Sequence, residues 1–478
     1  MREQDVKSII GVAIGTILFM ELLIFGGLGI AVPIAVIVYY ILTLWQSKML
    51  GIKQNIKNNI ILIPIALTAL CFVFFDNILL KSLNVLFLYV LIILNTSQQF
   101  GANPYEILSF KWLLEIVPLG ILNPIKNIGK PINIVKERIK EGSKDSNNVV
   151  LKVFIGLVIG MPIVFIATIL LMNTDVAFNN IIVLVIEKFN FDLVWILGRI
   201  VVFIIIFFPL YGFFYGLRNK KEKINEQKEK NRTRIFDFII VITVISSICI
   251  VYMIYCLSQF TYFISAFKGI LPADYSFAGY ARKGFFECIP LGGINLILII
   301  VLTLFTKVEG DKKKENLIKG CTYYLVTFTL FLVISAFSKM WLYISEYGIT
   351  IMRVYVSWFL IVGCIILLLI GIKTYYSKFK LTKNIFIVFT IMFLGLNYAN
   401  IDYRIAEYDS RLYITDKVDT LSAFYELSDS ALEPLVKIDN DAIKPIVNKY
   451  KVQIYRTTKW QEWNLANHNG KKIFENKE

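Results

Sequence analysis

Only one histidine, His468, occurs in 478 residues, and it lies close to the C-terminus. That scarcity argues against a histidine-built zinc centre and against catalysis by an imidazole inside the fold. The six cysteines, Cys71, Cys249, Cys256, Cys288, Cys321 and Cys364, all sit within or beside apolar runs, and residues 401–478 hold none. They read as small apolar packing residues rather than as disulfides or ligands. The chain also lacks a Gly-x-x-x-x-Gly-Lys phosphate loop, a His-Glu-x-x-His helix and a Gly-x-Ser-x-Gly nucleophile turn. No catalytic residue, metal ligand or cofactor is expected.

Apolar length is what the chain does have. Hydrophobic residues make up 57% and aromatics 14%, with a mean hydropathy of +0.65. About eleven apolar stretches, most near twenty residues, run from residue 8 to residue 400. A helix of that length spans the hydrocarbon core and satisfies its own backbone hydrogen bonds. The fold class expected is all-α, a polytopic helical membrane protein of about eleven transmembrane helices with a small C-terminal segment.

The spans fall at about 8–25, 28–46, 58–75, 79–95, 150–172, 193–216, 235–260, 285–305, 321–343, 354–373 and 384–400. The domains expected are a transmembrane unit over 1–400 and a C-terminal segment over 401–478. Gly26-Gly27 leaves room only for a tight hairpin between the first two spans. The first run lacks a small-residue cleavage site and passes directly into the second span, so a removable signal peptide is not expected.

Net charge is +15, but the basic residues gather in alternate short connections. Residues 47–57 carry Lys48, Lys53 and Lys57, 306–320 carry Lys312-Lys313-Lys314, and 373–383 carry four lysines. This is topogenic charge rather than a nucleic-acid footprint. It places those connections and the N-terminus on the cytoplasmic side of the plasma membrane. An odd number of spans then puts residues 401–478 outside. Residues 105–141 read as an interfacial segment whose basic strip faces anionic headgroups. The alternative is a helix packed against span ends.

Ionisable residues inside spans are costly and are functional candidates by default. Glu21, Asp175, Arg199, Glu287, Lys339 and Arg353 all fall toward the outer ends of their spans. Arg282 lies beside them in the re-entering loop. Together they suggest an outward-facing polar cavity. The plainer reading is a set of ion pairs and snorkelling side chains. Arg199 is the deepest, and Glu21 or Glu287 is its expected partner.

Several strings resemble a family of bacterial polytopic membrane proteins catalogued as a domain of unknown function. The most distinctive is Tyr280-Ala281-Arg282-Lys283-Gly284-Phe285-Phe286-Glu287. Others are Asn173-Thr174-Asp175-Val176-Ala177-Phe178, Tyr347-Gly348-Ile349-Thr350 with Arg353, and Asn400-Ile401-Asp402 with Ile405-Ala406. Leu427-Ser428 with Ala431, Pro434 and Leu435, and Trp460-Gln461-Glu462-Trp463-Asn464-Leu465, complete the resemblance. The chain departs at Asp409, where the family tends to asparagine, and at Ser430, where it tends to aspartate. The resemblance implies the architecture and draws attention to Arg282 and Glu287, but it carries no activity.

Three functions fit. The first is handling of a small solute or lipid at the outer polar cavity. The second is a non-catalytic sensor or assembly protein that binds a protein partner through 401–478. The third is a membrane-embedded cell-envelope enzyme, although a two-glycine first outer loop lacks the acidic residue that many-span lipid-linked glycosyltransferases need there.

Overall fold

The computed structural model describes residues 2–49, 51, 60–142, 160, 164, 167–189, 193–223, 236–267, 271, 275–308, 311–414, 421–438, 440–456 and 459–476. Among these residues the chain is all-helical, apart from one isolated bridge between Phe236 and Thr306. Nine described helices are long and apolar enough to cross a membrane. The expected span at 58–75 is described only as Leu62–Phe74, a helix of about 20 Å, short of the ~30 Å core. The expected span at 150–172 lies largely outside the described residues.

The chain divides into two compact units. Unit 1 comprises Met1–Val73, Lys81–Gln227 and Thr458–Asn464; unit 2 comprises Phe74–Leu80, Lys228–Thr457 and Leu465–Glu478. In unit 1, α1 (Arg2–Phe19) widens into a π turn, Met20–Ile24, and a hairpin leads to α2 (Ala31–Met49). The glycines of that hairpin also admit another strip of backbone. Ile30 N–H donates to Trp463 C=O at 2.9 Å, and a Cβ on Gly29 would stand 2.4 Å from the Glu462 carbonyl carbon. Only a residue without a side chain allows this approach.

The rest of unit 1 is α3 (Leu62–Phe74) up to Val73, α4 (Ile78–Gln99) from Lys81 onward, α5 (Phe110–Leu114), α6 (Asn123–Lys126), α7 (Lys130–Gly142), α8 (Val176–Phe189) and α9 (Leu193–Lys223). Its core joins Tyr39, Phe100, Leu119, Phe207, Tyr211 and Phe214. The segment expected to be one interfacial helix is broken into α5, a π turn over Val117–Leu122, and α6. Trp112 and Leu119 within it are fully buried, and Trp112 Nε1 donates to Gln98 Oε1 at 3.0 Å.

Unit 2 is built around α12 (Lys312–Tyr347), the most buried of the described membrane helices. It packs against α10 (Phe238–Phe267), α11 (Phe277–Ile300) and α13 (Ile351–Tyr375). The sequence reading starts the α11 span at residue 285. The helix begins eight residues earlier, where Ser276 Oγ accepts the Gly279 N–H, so Arg282 is helical rather than in a loop. After α14 (Leu381–Tyr398), the C-terminal helices are α15 (Ile401–Ile414), α16 (Leu421–Phe424), α17 (Leu432–Val436), α18 (Lys444–Arg456) and α19 (Leu465–Glu475). Among the described residues α16 is a single turn, followed by a turn and a 3-10 segment, Asp429–Ala431.

These C-terminal helices share one apolar core with the membrane helices of the same unit. Phe424, Leu432, Leu435, Ile446, Tyr450 and Ile454 pack with Leu80, Leu396, Ile405 and Ala406. Ile351, Val354, Tyr355 and Trp358 of α13 line it. Residues 401–478 expressed alone lose that lining. Their circular dichroism is expected to melt without a cooperative transition, and a sharp transition would contradict the shared core.

Candidate functional site

The distinctive 280–287 string folds as about two turns of α11. Positions 280, 284 and 287/288 recur at helical spacing, so they share the face turned to α12. Tyr280, Gly284 and Cys288 are buried there, while Arg282 and Lys283 point away and are exposed. Lys339 of α12 enters this face. It is 5% exposed, a rare state for a lysine. A Cβ on Gly284 would lie 2.7 Å from Lys339 Cδ, so the absent side chain is the slot that the lysine stem fills. Lys339 Nζ sits 4.8 Å from the Tyr280 ring centroid, a cation-π contact.

Two charges act on Lys339 through space, the Glu287 carboxylate and the Lys283 ammonium. Glu287 Oε2 accepts the Tyr255 hydroxyl at 3.4 Å. Lys283 Nζ donates to the Tyr275 hydroxyl at 2.8 Å, and the Tyr275 and Tyr280 rings lie 5.5 Å apart. Deeper along the same helices runs a neutral polar chain. Tyr252 OH donates to Asn295 Oδ1 at 2.7 Å, Asn295 Nδ2 donates to Thr329 Oγ1 at 2.8 Å, and Thr329 donates to Leu325 C=O. The sequence reading missed Tyr252, Tyr255, Asn295 and Thr329. The one available signal was Asn295, an isolated amide inside an apolar run.

The other candidates have separate settings. In unit 1, Arg199 donates through Nη1 to Glu21 Oε1, and its guanidinium lies 3.9 Å from the Trp195 ring and 4.6 Å from that of Phe25. Glu21 is one of the two partners expected for it; Glu287 is not its contact. Asp175 is exposed and caps α8 by accepting the Phe178 N–H at 3.0 Å. In unit 2, Arg353 closes the link between α12 and α13. It donates to Tyr347 C=O at 2.9 Å and Gly348 C=O at 2.5 Å, and stacks 3.9 Å from the Tyr343 ring. Gly348 takes φ +76, ending α12.

The strings at 400–406 and 427–435 converge on the C-terminal core. Asp402 accepts hydrogen bonds from Asn77 Nδ2, at 3.0 Å to each oxygen, and from Ser428 Oγ. Burial pushes its carboxyl above the usual range, while the Ser428 and Asn77 donors hold it down. Asp429 accepts from Asn467 Nδ2 at 3.3 Å. Asp409, two turns along α15, accepts the Ile349 N–H at 2.9 Å through Oδ1. Its Oδ2 is buried without a hydrogen-bond donor among the described residues. No described group of three or more histidine, cysteine, aspartate or glutamate side chains could hold a metal ion.

Burial raises Asp409 to about 6, against the opposing pull of the Ile349 amide and Arg353. An ordinary aspartate in the unfolded chain titrates near ~3.9. The folded state therefore binds more protons across that interval, and this group's contribution is greatest below about pH 4 and lost as pH rises to about 6. Asp409→Asn keeps an acceptor for Ile349. It should stabilise the protein at pH 7 by on the order of 2 kcal/mol, with the gain shrinking toward pH 4. Melting temperature against pH for both proteins checks this; a pH-independent difference, or a less stable variant at pH 7, would contradict it.

Comparison with curated proteins found no match, and neither did comparison with solved structures. A family model described as a domain of unknown function, DUF4153, matches residues 62–438. That match takes in the Lys339 seat, the Arg353 link and the Asp402 and Asp409 carboxylates, and the chain belongs to the DUF4153 family.

Proposed function

We propose that this protein is a multi-pass plasma-membrane protein of bacterial type that handles a small solute or lipid at a polar site in unit 2. In this reading the site is the outward-facing end of α10, α11 and α12. The observation that carries it is Lys339. A lysine buried this deeply in an apolar helix is rare and functional by default. Two further facts support it. The Gly284 slot is shaped to the lysine stem, and the same three helices also bury a separate polar chain, Tyr252–Asn295–Thr329, about three turns further along.

Orientation follows from lysine bias, with the N-terminus cytoplasmic, residues 401–478 extracellular, and the basic connections facing anionic headgroups. Glu21 with Arg199, and Arg353 with its carbonyls, then act as braces of the outer helix ends rather than as ligands. A second reading, docking of a protein partner on 401–478, is supported by α18. It exposes Val452 and Tyr455 beside Lys449 and Arg456 while burying Ile446, Tyr450 and Ile454.

Purification in native lipid followed by mass spectrometry tests the first reading. The wild-type protein should retain a species that Lys339→Gln loses and that Gly284→Ala, which crowds the lysine stem, weakens. Identical bound species in all three proteins would overturn the reading.

A further inference from the structure

The chemistry of the Lys339 seat indicates what it takes. An ammonium has three donors and no acceptor, and inside protein each needs an oxygen or a π face. Lys339 has the Tyr280 ring and, among the described residues, neither a hydrogen bond nor an ion pair. Glu287 is close enough to act on it electrostatically, yet its hydrogen-bonded contact is with the Tyr255 hydroxyl. The missing partner of Lys339 is therefore an acceptor.

Formal charge gives its sign. At this end of α11 and α12, Arg282, Lys283, Lys339 and Arg353 stand against two carboxylates, Glu287 and Glu346. The end of α11 and α12 thus carries excess positive charge at low local dielectric, which attracts anions and repels cations. The tyrosines add to this. Tyr275 and Tyr280 form an aromatic pair with Lys283 5.1 Å from the Tyr275 ring and Lys339 4.8 Å from the Tyr280 ring. Two ammonium groups are thereby held near one aromatic pair, and their like charges add. An oxyanion that enters beside Tyr280 gains charge-assisted hydrogen bonds from Lys339 and long-range attraction from Lys283 and Arg282.

We infer that the Lys339 seat binds a phosphate-type oxyanion, carried on a lipid headgroup or free, with Lys339 Nζ as its innermost donor and Glu287 as the charge that limits its affinity. The inference rests on the proposed unit 2 site and names its ligand class. It carries a sign that a structural lysine–glutamate contact does not share. Removing the lysine weakens anion binding, whereas removing the neighbouring carboxylate strengthens it.

The test uses the full-length protein in nanodiscs, with thermal stability followed in two series. In the first, phosphatidylcholine discs are titrated with inorganic phosphate against chloride at matched ionic strength. In the second, phosphatidylglycerol replaces part of the phosphatidylcholine. Stabilisation of the wild type in the first series identifies a free oxyanion; stabilisation only in the second identifies a headgroup. In whichever series responds, Lys339→Gln should weaken the response about ten-fold, as expected for one charge-assisted donor, and Glu287→Gln should move the midpoint to lower anion concentration. If Lys339→Gln does not fold, Glu287→Gln alone still decides, because a carboxylate with no bound anion beside it gives no such shift. No response of the wild type to either anion, an unchanged response in Lys339→Gln, or a weakened response in Glu287→Gln would overturn the inference. Should the species retained from native lipid depend on Lys339 yet carry no anionic group, the ligand class fails while the unit 2 site stands. If nothing retained depends on Lys339, both fail.

Discussion

One buried carboxylate, Asp402, ties together segments that the chain order separates by hundreds of residues. It opens α15 and is held by Asn77 from the turn before α4 and by Ser428 from the link after α16. Asn77 in turn accepts the Leu80 N–H, which caps α4, and the Tyr355 hydroxyl of α13. A charge buried at 3% exposure is tolerable only where its oxygens are hydrogen-bonded, so these four segments meet at Asp402 or its burial is heavily destabilising. The apolar core around Phe424, Leu435 and Tyr450 is layered on that node. Tyr450 adds a second tie, its hydroxyl donating to the Phe424 and Leu427 carbonyls.

Such a node explains why the C-terminal helices share a core with α13 and α14 rather than forming a domain of their own. It also gives the family strings a common purpose. Ile401, Ile405, Ala406, Leu427 and Ala431 fall in one core, with Asp402 and Ser428 hydrogen-bonded beside it. Tyr347-Gly348-Ile349-Thr350 joins them through the Ile349 bond to Asp409. The 280–287 string serves another end of the unit, where it forms the face that receives Lys339.

The membrane helices were readable from apolar run length, because a bilayer allows few alternatives to a helix. Arg199 was readable too, since its depth demanded a counter-charge and Glu21 stands at matching depth. The start of α11 was not, because Arg282 and Lys283 interrupt the apolar run and resemble a loop. They are helical because their side chains project away from the packed face while Tyr280 and Gly284 fill it. The Asp402 node was hidden for a different reason. Asn77, Ser428 and Tyr355 are ordinary polar residues, and nothing in their local sequence says that they meet. The polar chain of Tyr252, Asn295 and Thr329 was likewise invisible to a search for charges, though neutral groups suffice to satisfy one another inside a bundle.

A double-mutant cycle at the node tests this account most directly. Asn77→Ala and Asp402→Ala each remove one side of the same contact. Melting temperatures of the full-length protein in one detergent, with the double variant, give their coupling. The account predicts that each single change is strongly destabilising, on the order of 3 kcal/mol, and that the double costs little more than the worse single. Strictly additive losses, or a wild-type melting temperature for Asp402→Ala, would contradict the claim that this carboxylate holds the unit together.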